Sequence, residues 1–190
     1  MIPKVFEGVK GVQIERINCD NSTGEFVHEP NPLVEANLAQ VKAGVLKSKA
    51  DFGVCFDGDA DRCMVVDEQG RAVGCDLLLA VMLQSVLKRH SGASVVYDLR
   101  SSRAVPEAIK ALGGVPVESR VGHVFMKAKL AEAKAPIGGE LSGHFYFADM
   151  FNADSGARAF IAALNALVES DGKPLSALVK PFQHFAQSGE

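Results

Sequence analysis

Three aspartates at every second position, Asp57, Asp59 and Asp61, sit in the run Asp57-Gly58-Asp59-Ala60-Asp61-Arg62. The small spacers Gly58 and Ala60 let the chain bend tightly, so the three carboxylates can converge. Oxygen-only donors suit a hard cation, Mg²⁺ or Ca²⁺, rather than zinc. Without a cation, clustered carboxylates raise one another's pKa, and binding a metal removes that cost. Two plainer readings compete. A solvated acidic turn fits poorly with Arg62 and the apolar runs on either side. An EF-hand loop would use Asp57, Asp59, Asp61 and Glu68, but Arg62 stands where that loop needs glycine, and the flanks read as strands rather than helices.

Other groups are more loosely patterned. In Gly138-Gly139-Glu140-Leu141-Ser142-Gly143-His144, the polar residues Glu140, Ser142 and His144 alternate, so an extended backbone points them one way. A carboxylate, a hydroxyl and an imidazole on one face suit a hydroxyl-rich ligand. A merely polar tight turn fits the local pattern equally well. In Val121-Gly122-His123-Val124-Phe125-Met126-Lys127, His123 could move protons or bind phosphate near neutral pH. A lone histidine at a helix start is more often a cap or a surface residue. The run Asp98-Leu99-Arg100-Ser101-Ser102-Arg103 follows a strand and precedes a helix, where ligands of open α/β sheets gather. Helix-start amides with Arg100 and Arg103 favour a phosphate there, the plain alternative being a basic surface loop.

The elements that must position these loops follow from apolar period. Val12 to Ile17 alternates with period two and predicts a strand, and 21–32 reads as a loop. Pro32 opens a helix to about Lys49, with Leu33, Val34, Leu38, Val41 and Val45 near one face. Phe52–Phe56 and Met64–Val66 are strands around the acidic turn, and Glu68-Gln69-Gly70 is a hairpin turn. A second cycle begins near Gly74: helix 76–90 capped by Asp76, strand 94–97, helix 104–112 stopped by Gly113-Gly114, strand 115–118 and helix 123–134. Strand pieces at 136–140 and 145–147 and helices at 154–169 and 174–185 complete it. Alternating β and α elements predict an α/β fold of two small three-layer domains with mixed, mainly parallel sheets, 1–73 and 74–190.

Composition excludes several classes. The 190 residues are 47% hydrophobic and 23% charged, enough to bury a core. A formal charge of −3 gives no general attraction to nucleic acid or an anionic membrane. No apolar run approaches the ~20 residues of a membrane span, and the N-terminus lacks a signal-peptide pattern. Cys19, Cys55, Cys63 and Cys75 form no CxxC pair, which argues against a cysteine zinc site or a disulfide framework and for a reducing, cytoplasmic setting. The sequon Asn21-Ser22-Thr23 is then a coincidence of composition.

Taken together, Asp51 to Arg62 followed by Val65-Val66-Asp67 resembles the metal loop of the α-D-phosphohexomutases, the phosphomannomutase/phosphoglucomutase enzymes. Gly24-Glu25-Phe26 and His28 to Leu33 resemble the segment preceding that loop. The resemblance extends in order through the basic loop, the Gly122-His123 pair and the Gly139-Glu140-Leu141-Ser142-Gly143-His144 loop, and covers nearly the whole chain. It implies that Asp57, Asp59 and Asp61 hold Mg²⁺ and that Arg62 lies near the phosphoserine site. It further implies that Glu140 and Ser142 contact sugar hydroxyls, that His144 lies near the reacting groups, and that Arg100, His123 and Lys127 line the cleft. The substrate implied is a hexose phosphate, with phosphoryl transfer between its C1 and C6 oxygens.

The resemblance is to the second and third of four family domains. The phosphoserine segment, Ser-His-Asn-Pro, has no counterpart, nor has the fourth domain's phosphate clamp, and Ser188-Gly189-Glu190 resembles the linker leading into that domain. Met1 stands where a Gly-rich turn would end, so the first domain is expected to lack its opening strand. An unpaired sheet edge would then invite self-association. The chain alone is expected to show negligible mutase activity. Two other classes remain open: a non-catalytic module binding metal and sugar phosphate, and a structural calcium protein built on the acidic turn.

Overall fold

The structure, a computed structural model, describes residues 2–20 and 22–186. Met1, Asn21 of the sequon and the linker-like Ser188–Glu190 lie outside them. A short helix α1 (Ile2–Val5) opens the chain, and a 3-10 turn at Glu35–Leu38 leads into α2 (Ala39–Ser48). Then β1 (Phe52–Phe56), β2 (Cys63–Asp67) and β3 (Ala72–Val73) form an antiparallel sheet in that order. β2 is buried along its whole length, as a central strand of apolar residues must be. β1 lies at an edge of the sheet. The hairpin turn after β2 forms as expected: the Asp67 carboxylate accepts hydrogen bonds from the amides of Gln69 (3.0 Å) and Arg71 (2.9 Å).

The second sheet follows α3 (Cys75–Arg89). It contains β4 (Ser94–Asp98), β5 (Val115–Ser119), β6 (Ile137–Gly139), β7 (Phe145–Phe147) and β8 (Ala153–Asp154), ordered β5-β4-β6-β7-β8. Helices α4 (Ala104–Ala111) and α5 (His123–Ala133) are the crossovers that make β5-β4-β6 parallel, while β6-β7-β8 is antiparallel. α6 (Gly156–Val168) and α7 (Leu175–Val179) close the chain. The expectation of mainly parallel sheets is thereby refined. Parallel pairing is confined to β4, β5 and β6, because the acidic turn and the Glu140–His144 loop are too short to be crossovers.

α3 is apolar nearly all round and is correspondingly enclosed, with Leu78, Leu79, Met82 and Leu83 at 0–1% exposure. Each such side chain contributes about 1.5–3 kcal/mol over leaving it in water. The main core runs without a break from Leu38 and Val65, through α3, to Phe145 and Ala163. A smaller core of Val96, Met126, Leu130, Ala135 and Tyr146 lies beneath α5.

Several expected elements differ. Val12–Ile17 is not a strand. Its alternation survives as half-covered Val12 and Ile14 beside exposed Gln13 and Glu15, but among the described residues no neighbouring strand offers a ladder. Ile17 rests instead on α2, with its Cδ1 2.7 Å from where a Cβ on Gly44 would lie. The helix expected from Pro32 becomes regular only at Ala39, and Leu33 and Val34 remain 39% exposed. Asp76 is not the cap of α3. It lies one residue inside and accepts from the amides of Leu77 (2.8 Å) and Ser102 (3.2 Å). The last helix gives way to a 3-10 turn at Lys180–Phe182, since Pro181 has no amide hydrogen to continue the ladder.

Candidate functional site

The β1–β2 register pairs Phe56 with Cys63, so residues 57–62 must reverse the chain between them. Ala60 takes a left-handed conformation (φ 62°) to do so, and its amide donates to the Asp57 carbonyl at 3.2 Å. The Asp57 carboxylate accepts from the Arg62 amide at 3.1 Å and from Arg62 Nε at 2.5 Å. Partial burial pushes the Asp57 pKa up, but these bonds from Arg62 outweigh it and hold the group below its ordinary value. Asp61 goes the other way, raised by burial and by neighbouring Asp57 and Asp59.

One oxygen from each of Asp57, Asp59 and Asp61 lies within 4.8 Å of the others. Asp61 Oδ1 is buried without a hydrogen-bond partner. Gathered oxygens, an orphaned buried acceptor and a carboxylate held at a disadvantage fit a hard divalent cation.

The acidic loop is fastened to the second sheet by main-chain contacts. The Cys63 amide donates to the Gly143 carbonyl at 3.1 Å, and Arg62 and His144 form an isolated antiparallel bridge. Gly143 permits this by adopting φ 91°, a conformation other residues avoid. From the opposite side, the Gly156 amide at the start of α6 donates to the Ala60 carbonyl at 3.1 Å. A Cβ on Gly156 would lie 2.6 Å from the Arg62 carbonyl oxygen and 2.7 Å from that of Ala60.

These contacts put the histidines against the acids. His144 Nδ1 is 2.9 Å from Ser142 Oγ, and its Nε2 is 3.3 Å from Asp61 Oδ1. The His123 ring centroid is 4.4 Å from that of His144. Burial lowers the His144 pKa, with His123 adding to the effect, against an opposing pull from Asp61 and Glu140. One turn apart on α5, His123 and Lys127 both reach Asp154: Nδ1 to Oδ2 at 2.5 Å and Nζ to Oδ1 at 3.1 Å. Burial raises the Asp154 pKa, but Lys127 and His123 outweigh it and bring it below the usual range.

Glu140 is 2% exposed, and its carboxylate accepts from the Gly122 amide at 2.7 Å and the Tyr146 hydroxyl at 2.6 Å. A buried carboxylate needs such donors. Arg100 Nε donates to Asp98 Oδ2 at 3.1 Å. The same fully buried Asp98 accepts from the Leu141 amide at 3.3 Å, which ties the basic loop to the Glu140–His144 loop. Asp57, Asp59, Asp61, Arg62, His123, Lys127, Ser142 and His144 therefore share one neighbourhood, with Arg100 joined to it through Asp98.

Nothing in the local sequence pattern assigns Asp154, Asp98 or Tyr146 to the site. The Ala-rich pattern predicts a helix from Asp154 onward, yet this residue ends β8. The Asp154-Ser155-Gly156 run before an Ala-rich helix was the available signal, with Ser155 capping α6 through the Arg158 amide.

Comparison with known families decides the lineage. Residues 1–70 match phosphoglucomutase/phosphomannomutase α/β/α domain II, and residues 75–185 match α/β/α domain III. The chain belongs to this phosphohexomutase family. It is 41% identical over 172 residues to a phosphomannomutase of Methanocaldococcus jannaschii, covering 90% of this chain and 38% of that protein. It is 34% identical over 169 residues to a phosphoglucomutase of Neisseria meningitidis, covering 88% of this chain and 36% of that protein. A family protein from Burkholderia thailandensis, known from its crystal structure, superposes with a TM-score of 0.76 at 34% identity, over 84% of this chain and 34% of that one. The chain thus spans less than two-fifths of the length of these two curated phosphohexomutases.

Proposed function

We propose that this chain supplies the cation loop and the sugar-facing loops of a Mg²⁺-dependent phosphohexomutase acting on a hexose phosphate. The observation that carries the reading is the joining of the two loops by main chain, Cys63 amide to Gly143 carbonyl with Arg62 bridged to His144. It sets the carboxylates beside the polar face that a sugar would meet.

In this reading Asp57, Asp59 and Asp61 hold Mg²⁺, which when bound offsets negative charge on a transferring phosphoryl group. Arg62, held by Asp57, adds positive charge at the same place. Ser142 and His144 orient sugar hydroxyls, and Glu140 reaches one by giving up an internal partner. His144, with its pKa lowered, is neutral near pH 7 and so able to accept a proton at a ring nitrogen. His123, steadied by Asp154, is the second candidate for that step. Lys127 and Arg100 complete the positive surroundings of the phosphate. The sequence contains no Ser-His-Asn-Pro, so the phosphoryl-carrying serine is supplied by residues other than these.

The proposal includes the division near residue 73 and a reducing, cytoplasmic setting. All four cysteines are free, and among the described residues no helix is long and apolar enough to cross a membrane. The open edge of β1 is the surface through which the chain would self-associate.

Titration calorimetry with MgCl2, then glucose 1-phosphate or mannose 1-phosphate, tests the reading. Mg²⁺ binding that D57N and D59N abolish, and sugar-phosphate binding strengthened by Mg²⁺, are expected. Sugar-phosphate binding indifferent to Mg²⁺ and to these substitutions would overturn it. A coupled assay on the chain alone should give no turnover, and steady conversion would refute the assignment of the serine elsewhere.

A further inference from the structure

One group of side chains exceeds what the oxygen site needs. Asp61, His123, His144 and Asp154 each offer one nitrogen or oxygen, and these four atoms lie within 4.8 Å of one another. Asp61 Oδ1 stands 3.3 Å from His144 Nε2, and Asp154 Oδ2 stands 2.5 Å from His123 Nδ1. Both oxygens are buried, and neither accepts an aligned hydrogen bond. Four donor atoms this close, two of them buried oxygens without an aligned hydrogen, are spaced as the ligands of one ion could be.

We propose that these four residues form a second metal site, selective for a borderline divalent ion such as Zn²⁺ or Co²⁺ and sharing only Asp61 with the Asp57-Asp59-Asp61 group. Two imidazoles and two carboxylates match the donors such ions take, whereas Mg²⁺ keeps to oxygen. A tetrahedral ion with bonds of 2.0–2.1 Å separates its ligand atoms by about 3.3 Å, a span this cluster reaches with small side-chain adjustments.

The outer contacts are also of the kind that holds metal ligands. Ser142 Oγ engages His144 Nδ1 at 2.9 Å, leaving Nε2 for the ion, and Lys127 Nζ engages the other Asp154 oxygen at 3.1 Å. The ligands come from four places fixed by the fold: the acidic loop, α5, the turn before β7, and β8. Asp61 is common to both groups, so the two ions are coupled through one carboxylate. A Zn²⁺ ion here occupies the imidazole nitrogens proposed above for proton movement.

This inference stands apart from the sugar-phosphate reading, because its test contains no sugar. The whole chain is titrated with ZnCl2 in ~10 mM MgCl2, the concentration at which Mg²⁺ fills ordinary carboxylate sites. X-ray absorption is recorded on the one-equivalent zinc form. One equivalent bound, with two imidazoles and oxygen in the shell, is expected. Substitutions His123→Gln and Asp154→Asn should each weaken Zn²⁺ at least ~10-fold, while Glu68→Gln, which belongs to neither group, leaves it within ~3-fold. A sulfur shell from Cys19, Cys55, Cys63 or Cys75 would overturn the proposal. So would one-for-one displacement by Mg²⁺, or unchanged affinity in H123Q. The absorption spectrum of the unsubstituted chain decides the matter even if a variant folds poorly.

Discussion

Replacing Gly156 by alanine tests whether the start of α6 holds the acidic loop in shape. Gly156 has an ordinary φ, so the substitution adds no backbone strain and only a methyl group. That methyl would lie 2.6 Å from the Arg62 carbonyl oxygen, 2.7 Å from that of Ala60 and 3.0 Å from the Arg62 carbonyl carbon, all main-chain atoms that cannot rotate aside. Relief requires α6 and the loop to separate, which stretches the 3.1 Å bond from the Gly156 amide to Ala60. Overpacking of this kind costs about 1–3 kcal/mol. The better helix propensity of alanine returns at most about 1 kcal/mol. The net loss in the folded chain is therefore at most about 3 kcal/mol, with about 1–2 kcal/mol the central expectation. If the loop takes up the displacement, Mg²⁺ affinity falls by roughly 5- to 30-fold, at 1.4 kcal/mol per factor of ten. Urea unfolding and magnesium calorimetry on the same preparation measure the two effects. A G156A chain with unchanged stability and unchanged Mg²⁺ affinity would show that this packing does not shape the loop.

Two further substitutions probe other contacts. Glu140→Gln keeps an oxygen for the Gly122 amide but turns its NH2 toward the Tyr146 hydroxyl, whose proton loses its acceptor while both bonds lose their charge assistance, so stability should drop by about 1–3 kcal/mol in urea unfolding. Full stability with lost sugar-phosphate binding would instead assign Glu140 to the ligand alone. The Glu68 carboxylate accepts from the Ser176 hydroxyl (2.5 Å) and amide (3.1 Å), fastening the β2–β3 hairpin to α7. Burial raises its pKa, but these bonds outweigh it and leave it depressed. Its stabilisation is then complete above the unfolded value of about 4.3 and is lost as pH falls through the lower folded value. Glu68→Gln should flatten that part of the acid stability profile, and thermal midpoints across pH 2 to 6 that match the unsubstituted chain would contradict this.

The local features of the site were legible because their spacing is short. Three aspartates two apart, with small residues between them, can converge wherever the loop sits, and they do. The alternation of Glu140, Ser142 and His144 placed Ser142 and His144 in contact, but hid that Glu140 turns inward. Burial of that carboxylate depends on Gly122 and Tyr146, which no local pattern connects to it. Asp154 is hidden for the same reason: its partners His123 and Lys127 belong to a separate helix, and the sheet order brings β8 near α5. Most crossover helices and central strands were readable from apolar period. Val12–Ile17 had the right period and failed for want of a neighbour, since a strand is a property of a pair. Asp76 has the residue type of a cap and lies two residues past Gly74, the actual cap, yet its carboxylate serves the Ser102 loop.

The bridge between Arg62 and His144, with its flanking amide-to-carbonyl bond, joins the two loops through main chain as well as through the Asp61–His144 side-chain contact. Substitutions that change what the two loops display would then leave the 3.1 Å amide-to-carbonyl joint between them in place.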